Sequence, residues 1–548
     1  MEKKKALIVL IVFILAVIAG FFIFFKSTDK DKVLKPAYGG RYKEGIVGQP
    51  DFANPILHQV QDIDKIIYDL VFSSLLKKDN NDPSGIQLDL ASKYELSQDK
   101  KSYVISLNEK ALWHDGVKLT ADDVLFTLDL ARKSSSYNKN LEKVLNIEIE
   151  KIDNKTLKFI CHSKEECSNL LFYLDFPILP KHILENLDPQ ETDFLVFNIK
   201  PIGSGPFVFQ NIKFNQNGEV VEYSLKRNEN FYLRPPYLEE IVFKFYPSFE
   251  QAEKALKYRS IDGLGFLPKD FNLPEIKGVN TYRLVIPQYI GLFFNLANSQ
   301  SLVNQSEVIR QALALTVNKE QLPPVAQGMG FPLNTSIIEA YLKTPLGIEE
   351  EYDPEKAKEV LQESGWENNG EVWLKNNEQI SFTILTSDQE IMKQVALSLQ
   401  STWNNFGFDV SVKAVPEKDL MEAIKNRDFE AIVYGVVGGL PTHQYAFWHS
   451  SNIESSNLTG FNDRKADELL ELSEISLNKE EFLDYLKQFQ KIISQEKPCI
   501  FLYSPYYFYL VRDNIKGIKL TNILSFEGRL LGVKDWYIKT EKVEVGGE

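Results

Sequence analysis

Apolar and polar positions along this chain follow two periods. In Asp62–Asp79, the apolar residues Ile63, Ile66, Ile67, Leu70 and Val71 recur at helical spacing, which predicts an amphipathic helix. Gly39–Pro55 reads as a short strand-like segment ending in a turn. Tyr103, Ile105 and Leu107 alternate as in a hairpin, and the chain turns at Asp115-Gly116. Thr120 then caps a helix in which Asp123 stands at the third position, an acidic variant of the capping box, with Val124, Leu125 and Leu128 facing inward. From Asn198 to Ser248 a glycine loop is followed by strands. Leu284–Asn298 is a strongly apolar strand suited to carry the chain between domains. The second half alternates helix and strand. Asp353 as N-cap, Pro354 at the first helical position and Gly365 as the stop bound one helix. Strands at Ile380–Ser387, Phe408–Val415 and Phe429–Val437 are separated by helices, so a mixed or parallel sheet wrapped by helices is expected, an α/β fold.

The N-terminus departs from both periods. Lys3, Lys4 and Lys5 precede an unbroken apolar run from Ala6 to Phe25. Twenty residues at about 1.5 Å each span about 30 Å, one bilayer core. The lysines should stay in the cytoplasm and place everything after Lys26 outside. A cleaved signal peptide is the competing reading, but Phe21–Phe25 continue the run past the small residues at Ala19 and Gly20, which favours an uncleaved transmembrane helix. No cysteine lies near its end, which excludes a lipid anchor. Lys26–Tyr38 reads as a charged tether.

With 548 residues the chain exceeds one compact core, so two or three domains are expected. Its 62 Lys and Arg against 76 Asp and Glu leave a net charge of −14, which argues against nucleic acid as a partner. The 24 Tyr and 36 Phe cluster in stretches such as Leu502–Leu510, suited to cores and to clefts with large rigid walls. Of three cysteines, Cys161 and Cys167 could bridge in an exported chain, although two cysteines on one strand would not face each other well; Cys499 reads as a buried free thiol. Gly203-Ser204-Gly205-Pro206 lacks the Lys-Ser/Thr of a phosphate loop, and no other common catalytic motif is present, so no enzyme activity is expected.

Six ordered motifs then resemble the family 5 extracellular solute-binding proteins, the large binding proteins of peptide and nickel ABC importers. They are the glycine-rich opening Gly39–Pro55, Trp113–Val124, Pro201–Phe207, Arg227–Ile241, Phe294-Asn295 with Arg310–Ala314, and Tyr352–Lys358 with Gly365-Trp366. The resemblance implies a two-lobed periplasmic-binding-protein-like fold (type II, cluster C) with an extra α+β domain. Residues 1–30 would be the membrane anchor and tether. Residues 31–60, 200–291 and 504–548 would form lobe I, 61–199 the extra domain and 292–503 lobe II, with hinge strands near Tyr289–Asn295 and Phe501–Tyr507. It also implies function: a membrane-anchored, extracytoplasmic monomer that closes over a peptide or peptide-like solute and docks on an ABC permease, with no cofactor. A metal-chelate or other small-solute binder, or a receptor or chaperone on the same scaffold, is the alternative.

The segment Gly439–Asn452, which carries His443 and His449, falls at the ligand cleft in this family. Relatives place an aspartate there for the ligand's α-amino group. Here the corresponding positions fall near Pro441 and His443, and no carboxylate occurs between Glu430 and Glu454. Either another acid serves, or the ligand lacks a free amine, or main chain and aromatics do the work. Two histidines without a third convergent ligand do not make a metal site. His449 reads as a structural cap, His114 as part of its turn. The expected cleft residues are Asn54, Tyr289, Phe294, Asn295, Trp403, Tyr434, Leu440, His443, Tyr445, Tyr503 and Tyr506.

Overall fold

The computed structural model describes residues 32–544 apart from 58–60, 80–81, 135–136, 138–140, 189–191, 266, 268–274 and 343. The apolar run Ala6–Phe25 lies outside the described residues. Among those that are described, no helix is long and apolar enough to cross a membrane.

One mixed sheet of 12 strands runs through the molecule. At one end Asp409–Val415, Ser381–Ser387 and Ala431–Val436 are parallel, as the helix–strand alternation requires. At the other end Arg41–Val47, Glu240–Tyr246, Val220–Arg227 and Phe207–Phe214 follow one another. The two ends are the two lobes, and Cys499–Arg512 crosses between them. Its first residues pair with Tyr289–Phe294 in the second lobe (Phe293 opposite Cys499, Ile290 opposite Tyr503). Its last residues pair with Val279–Val285 in the first (Val285 opposite Tyr506, Val279 opposite Arg512). The partner changes at Ser504-Pro505, where the Ser504 hydroxyl donates to the Gln288 carbonyl at 2.8 Å. A proline costs least at such a changeover, because no regular ladder bond is lost there. The apolar stretch at Leu284–Asn298 is thus two strands, Val279–Val285 and Tyr289–Phe294, with a break at the lobe boundary.

The strand Tyr289–Phe294 is buried along its whole length, with one core on each face of the second lobe's sheet. A central strand covered on both faces reads as a continuous apolar run. Arg310 ties this lobe together through the carbonyls of Asn304, Glu496 and Lys497 at 2.7–3.1 Å.

A separate antiparallel sheet of four strands, Ala91–Leu96, Ser102–Leu107, Thr156–Ile160 and Glu148–Lys151, carries the helix Ala121–Lys133. The Thr120 amide donates to Asp123 at 2.8 Å, as the capping pattern predicts. This unit shares one continuous core with the first lobe. His114 helps to join them. Its Nδ1 accepts from the Gly203 amide and its Nε2 donates to the Gly205 carbonyl, both at 3.1 Å. Burial holds its pKa down at about 4, so the ring is neutral and can play both roles. Gly203 is required here, since a Cβ would stand 1.9 Å from the Val71 carbonyl oxygen. His114 is therefore more than a turn residue: it holds the Trp113–Val124 motif against the Pro201–Phe207 motif.

Cys161 and Cys167 form a disulfide, with Cα atoms 5.4 Å apart. They do not share a strand. Cys161 follows Thr156–Ile160 and Cys167 lies on the helix Lys164–Leu170, which lets the two sulfurs meet. Cys499 is free and buried.

Candidate functional site

A cavity of about 430 Å³ lies where the two lobes and the four-stranded unit meet. The helix Asp62–Val71 brings Lys65 and Asp69 to it, and the strand Leu76–Asp79 brings Lys77 and Lys78. Asp175, just past the turn Leu171–Leu174, adds a carboxylate. The second lobe contributes Leu440, Thr442 and His443, and Glu474 at the end of a helix. The first lobe closes it with Ser525, Glu527 and Leu531. A neighbouring cavity of about 300 Å³ shares Asp69, Lys77, Lys78 and Leu531 and extends the space towards Lys519 and Asn522.

Most of these charges are paired. Lys65 contacts Asp69 at 2.7 Å and Glu527 at 3.5 Å. Lys77 reaches Asp89 at 3.3 Å, and Asp89 also accepts from the Tyr232 hydroxyl at 2.6 Å. Burial pushes the Asp175 carboxyl up, and Lys65, Lys78 and Lys77 pull it partly back. Burial, with Lys78 alongside, holds His443 down at about 4, so its ring is uncharged near neutrality. Across the cavity mouth, Asn169 donates to the carbonyl oxygen and to the carboxylate of Glu474 at 3.2 Å, and the Ser168 hydroxyl donates to the same carbonyl. Both follow directly after the disulfide-bonded Cys167, so the bridge sits beside the contact between the four-stranded unit and the second lobe.

The sequence-predicted cleft residues divide sharply. Leu440 and His443 line the cavity. Tyr434 and Tyr445 are half-buried beside this segment, Tyr445 stacked on His449 at 4.3 Å between ring centres. Tyr506 packs on Phe331 at the strand changeover, and Tyr503 is buried one turn of the ladder away. Five others are committed elsewhere. Tyr289 is enclosed by Phe293 and Phe501, and Phe294 is fully buried in the second lobe's core. Trp403 is fully buried there as well, its indole donating to the Leu313 carbonyl at 3.2 Å and to Thr316 at 3.1 Å. Asn295 donates to the carbonyls of Arg427 and Phe429. Asn54 donates to Asn198 and accepts from the Ile56 amide. Four of them sit on or against the second lobe's buried strands, so proximity to the crossing does not give access to the cavity, whereas Asn54 is taken up by its own loop and by Asn198 on the helix Thr192–Ile199. His449 is buried, accepts from the Ser451 amide at 3.1 Å and lies 3.4 Å from Glu471, a capping arrangement. Among the described residues no cluster of three His, Cys, Asp or Glu could hold a metal ion.

Sequence reasoning missed the charged wall formed by Lys65, Lys77, Lys78 and Asp175. Its signal is faint, because lysines and aspartates at helical and strand surface positions look the same whether they face bulk water or a cavity.

Comparisons with known proteins agree with this architecture. Residues 85–457 match the family described as bacterial extracellular solute-binding proteins, family 5, middle region. The oligopeptide-binding protein AppA of Bacillus subtilis strain 168 is 28% identical over 515 residues, covering 90% of this chain and 91% of that protein. The structure of NikZ from Campylobacter jejuni in complex with Ni(L-His) is 26% identical, covers 91% of this chain and 99% of its own, and superposes with a TM-score of 0.65. The ABC transporter substrate-binding protein CtaP of Listeria monocytogenes shares the fold at 22% identity and a TM-score of 0.73, with 92% of this chain and all of that one covered. With the motifs, the two-lobed sheet and more than half of the chain matched by the family, this protein belongs to the family 5 bacterial extracellular solute-binding proteins.

Proposed function

We propose that this protein captures a peptide-like solute in the cavity between its lobes and delivers it to an ABC permease. The observation that carries this reading is the cavity itself. It is walled by both lobes and the four-stranded unit and lies beside two chain crossings that can flex as a hinge. Leu440 and His443 would touch the solute, with Tyr434, Tyr445 and Tyr506 nearby. AppA, named for oligopeptides, supports the peptide class. A nickel chelate is the second reading, supported by the likeness to NikZ with its bound Ni(L-His). The site binds and releases; no chemical step is proposed. A ligand that binds only the folded form raises stability by about 2.7 kcal/mol at a hundred times its Kd. Pools of short peptides should therefore raise the melting temperature of the full chain, and mass spectrometry should find a co-purified peptide. A shift with nickel and free histidine but none with peptides would overturn the peptide class in favour of the second reading.

The run Ala6–Phe25 supports an extracytoplasmic placement, held to the cell membrane by that segment. The intact chain should stay with membranes after an alkaline carbonate wash. Recovery of a soluble chain beginning near Gly20 would show cleavage instead.

A further inference from the structure

The first and last described strands stand apart from both lobes' sheet. Lys32–Ala37 and Lys539–Glu544 pair antiparallel as a separate two-stranded ribbon, with Leu34 opposite Lys542 and Ala37 opposite Lys539. None of its described side chains is buried, and Val33 and Leu34 are 52% and 61% exposed. A ribbon open on both faces has little to hold it in water, and its edges offer unpaired backbone groups. Its strands carry Lys32, Lys35, Lys539 and Lys542 against Glu541 and Glu544, a basic excess in a chain of net charge −14. At its base the ring of Tyr237 lies 5.4 Å from that of Tyr38 and 6.1 Å from that of Tyr537. The Gly39 amide donates to the Tyr237 carbonyl at 2.8 Å and ties the ribbon to this cluster. Arg227 lies over Tyr38 and Arg234 over Tyr237, and these arginines pair with Glu229 and Asp535, so the basic excess stays on the ribbon. Exposed aliphatics, tyrosines and lysines side by side suit the boundary of a bilayer, where rings and stems meet the acyl region and polar tips meet the headgroups.

We propose that the ribbon and the tyrosine cluster at its base form a membrane-facing surface that lies on anionic phospholipid headgroups. This rests on the reading of Ala6–Phe25 as a membrane anchor. Six residues, Lys26–Asp31, separate Phe25 from Lys32, and even fully extended this link spans only about 25 Å. The anchor therefore keeps the ribbon close to the bilayer, and a weak attraction is enough to seat it, because the second contact is intramolecular. The lysines supply that attraction, and Val33, Leu34 and Tyr38 supply apolar area at the boundary. Tyr237 follows directly on the strands of the first lobe, so the first lobe is the one seated and the second is left free to move about the crossing strands.

The test uses the full chain in lipid nanodiscs and a fluorophore on one introduced cysteine. Cys161 and Cys167 are bonded and Cys499 is buried, so the introduced thiol alone reacts. Thr540→Cys places the label on the ribbon, and Lys425→Cys places it on the exposed side of the second lobe's helix Glu417–Asn426 as a control. In discs of phosphatidylglycerol and phosphatidylcholine, lipid carrying a nitroxide near the headgroup should quench the label at 540 strongly and the label at 425 hardly at all. Each lysine favours contact with such a surface by about fivefold, so quenching at 540 should fall in discs of phosphatidylcholine alone and in the variant Lys35→Gln, Lys539→Gln, Lys542→Gln. These side chains are exposed, so the melting curve of that variant should match the wild type. An unquenched label at 540 in a chain that stays with the disc would overturn the proposal and leave the anchor standing. Equal quenching in both lipids, or in the lysine variant, would overturn it too, since tethering alone would then account for the contact. Quenching confined to discs that hold two chains would give the face to a second copy instead. A chain that elutes apart from the discs removes the anchor reading and the proposal with it.

Discussion

Replacing Arg529 by methionine should lower the unfolding free energy by about 3–5 kcal/mol, the usual result of leaving one member of a buried ion pair alone. Arg529 and Glu44 are both fully buried, and Arg529 Nε donates to Glu44 Oε1 at 2.8 Å. The other carboxylate oxygen accepts from the hydroxyls of Tyr42 at 2.6 Å and Tyr509 at 2.9 Å. The cluster joins three distant parts of the chain: the strand Arg41–Val47, the crossing strand Cys499–Arg512, and the turn Phe526–Leu530. It leaves no room for change nearby, since a Cβ on Gly263 would stand 1.7 Å from the Tyr42 hydroxyl. Without the guanidinium, Glu44 must either stay charged in an apolar core or take up a proton. Adding Glu44→Gln to the methionine variant should recover part of the loss, because the amide needs no counter-ion and still accepts from a tyrosine. Urea unfolding of the single and double variants measures both effects. A loss below about 1 kcal/mol in the single variant would mean that water reaches this cluster, contrary to its burial. The same turn carries Glu527 to the cavity wall, so the damage should extend to solute binding.

Trp403→Ala should cost a similar amount, about 3–5 kcal/mol, as expected for truncating a large buried aromatic. The side chain fills the second lobe's core against Phe382, 5.7 Å between ring centres, and its indole bonds the end of the helix Glu307–Leu315. Truncation leaves a cavity and removes the indole's two hydrogen bonds, while the Thr316 hydroxyl still donates to the Leu313 carbonyl. This residue separates two readings. As a cleft residue, which its family position suggests, it would weaken solute binding even in folded protein. As a core residue, which its burial indicates, it should lower the urea midpoint while affinity at low temperature stays within about twofold of the wild type. A large affinity loss in protein shown to be folded would return Trp403 to the cleft.

The contrast between Trp403 and Lys78 shows where sequence reading stops. Trp403 draws attention because aromatics near a cleft are good walls, yet its helix faces a sheet and the ring is interior. Lys78 draws none, because a lysine on a short strand looks like ordinary surface. Which of them meets a ligand depends on how three separate units approach one another, and no local pattern encodes that approach. The disulfide makes the same point. Spacing allowed Cys161 and Cys167 to bridge, but the bond exists because a strand ends and a helix begins between them, which turns the second sulfur back on the first.

The sequence by itself determined the elements, their order and the family. Periodicity and caps are local: Asp353 accepts from the Lys356 amide at 2.9 Å, and Gly365 takes the left-handed conformation that a β-carbon would disfavour, both as the pattern requires. It also determined that the second lobe's cleft segment has no carboxylate. Only the tertiary structure decided which charges are paired, which aromatics are core, and that lysines and carboxylates from the other units line the same cavity as that segment. The reason is physical: secondary structure follows from interactions over a few residues, whereas a binding site is assembled from side chains hundreds of positions apart, whose burial and pairing are fixed only once the lobes have packed.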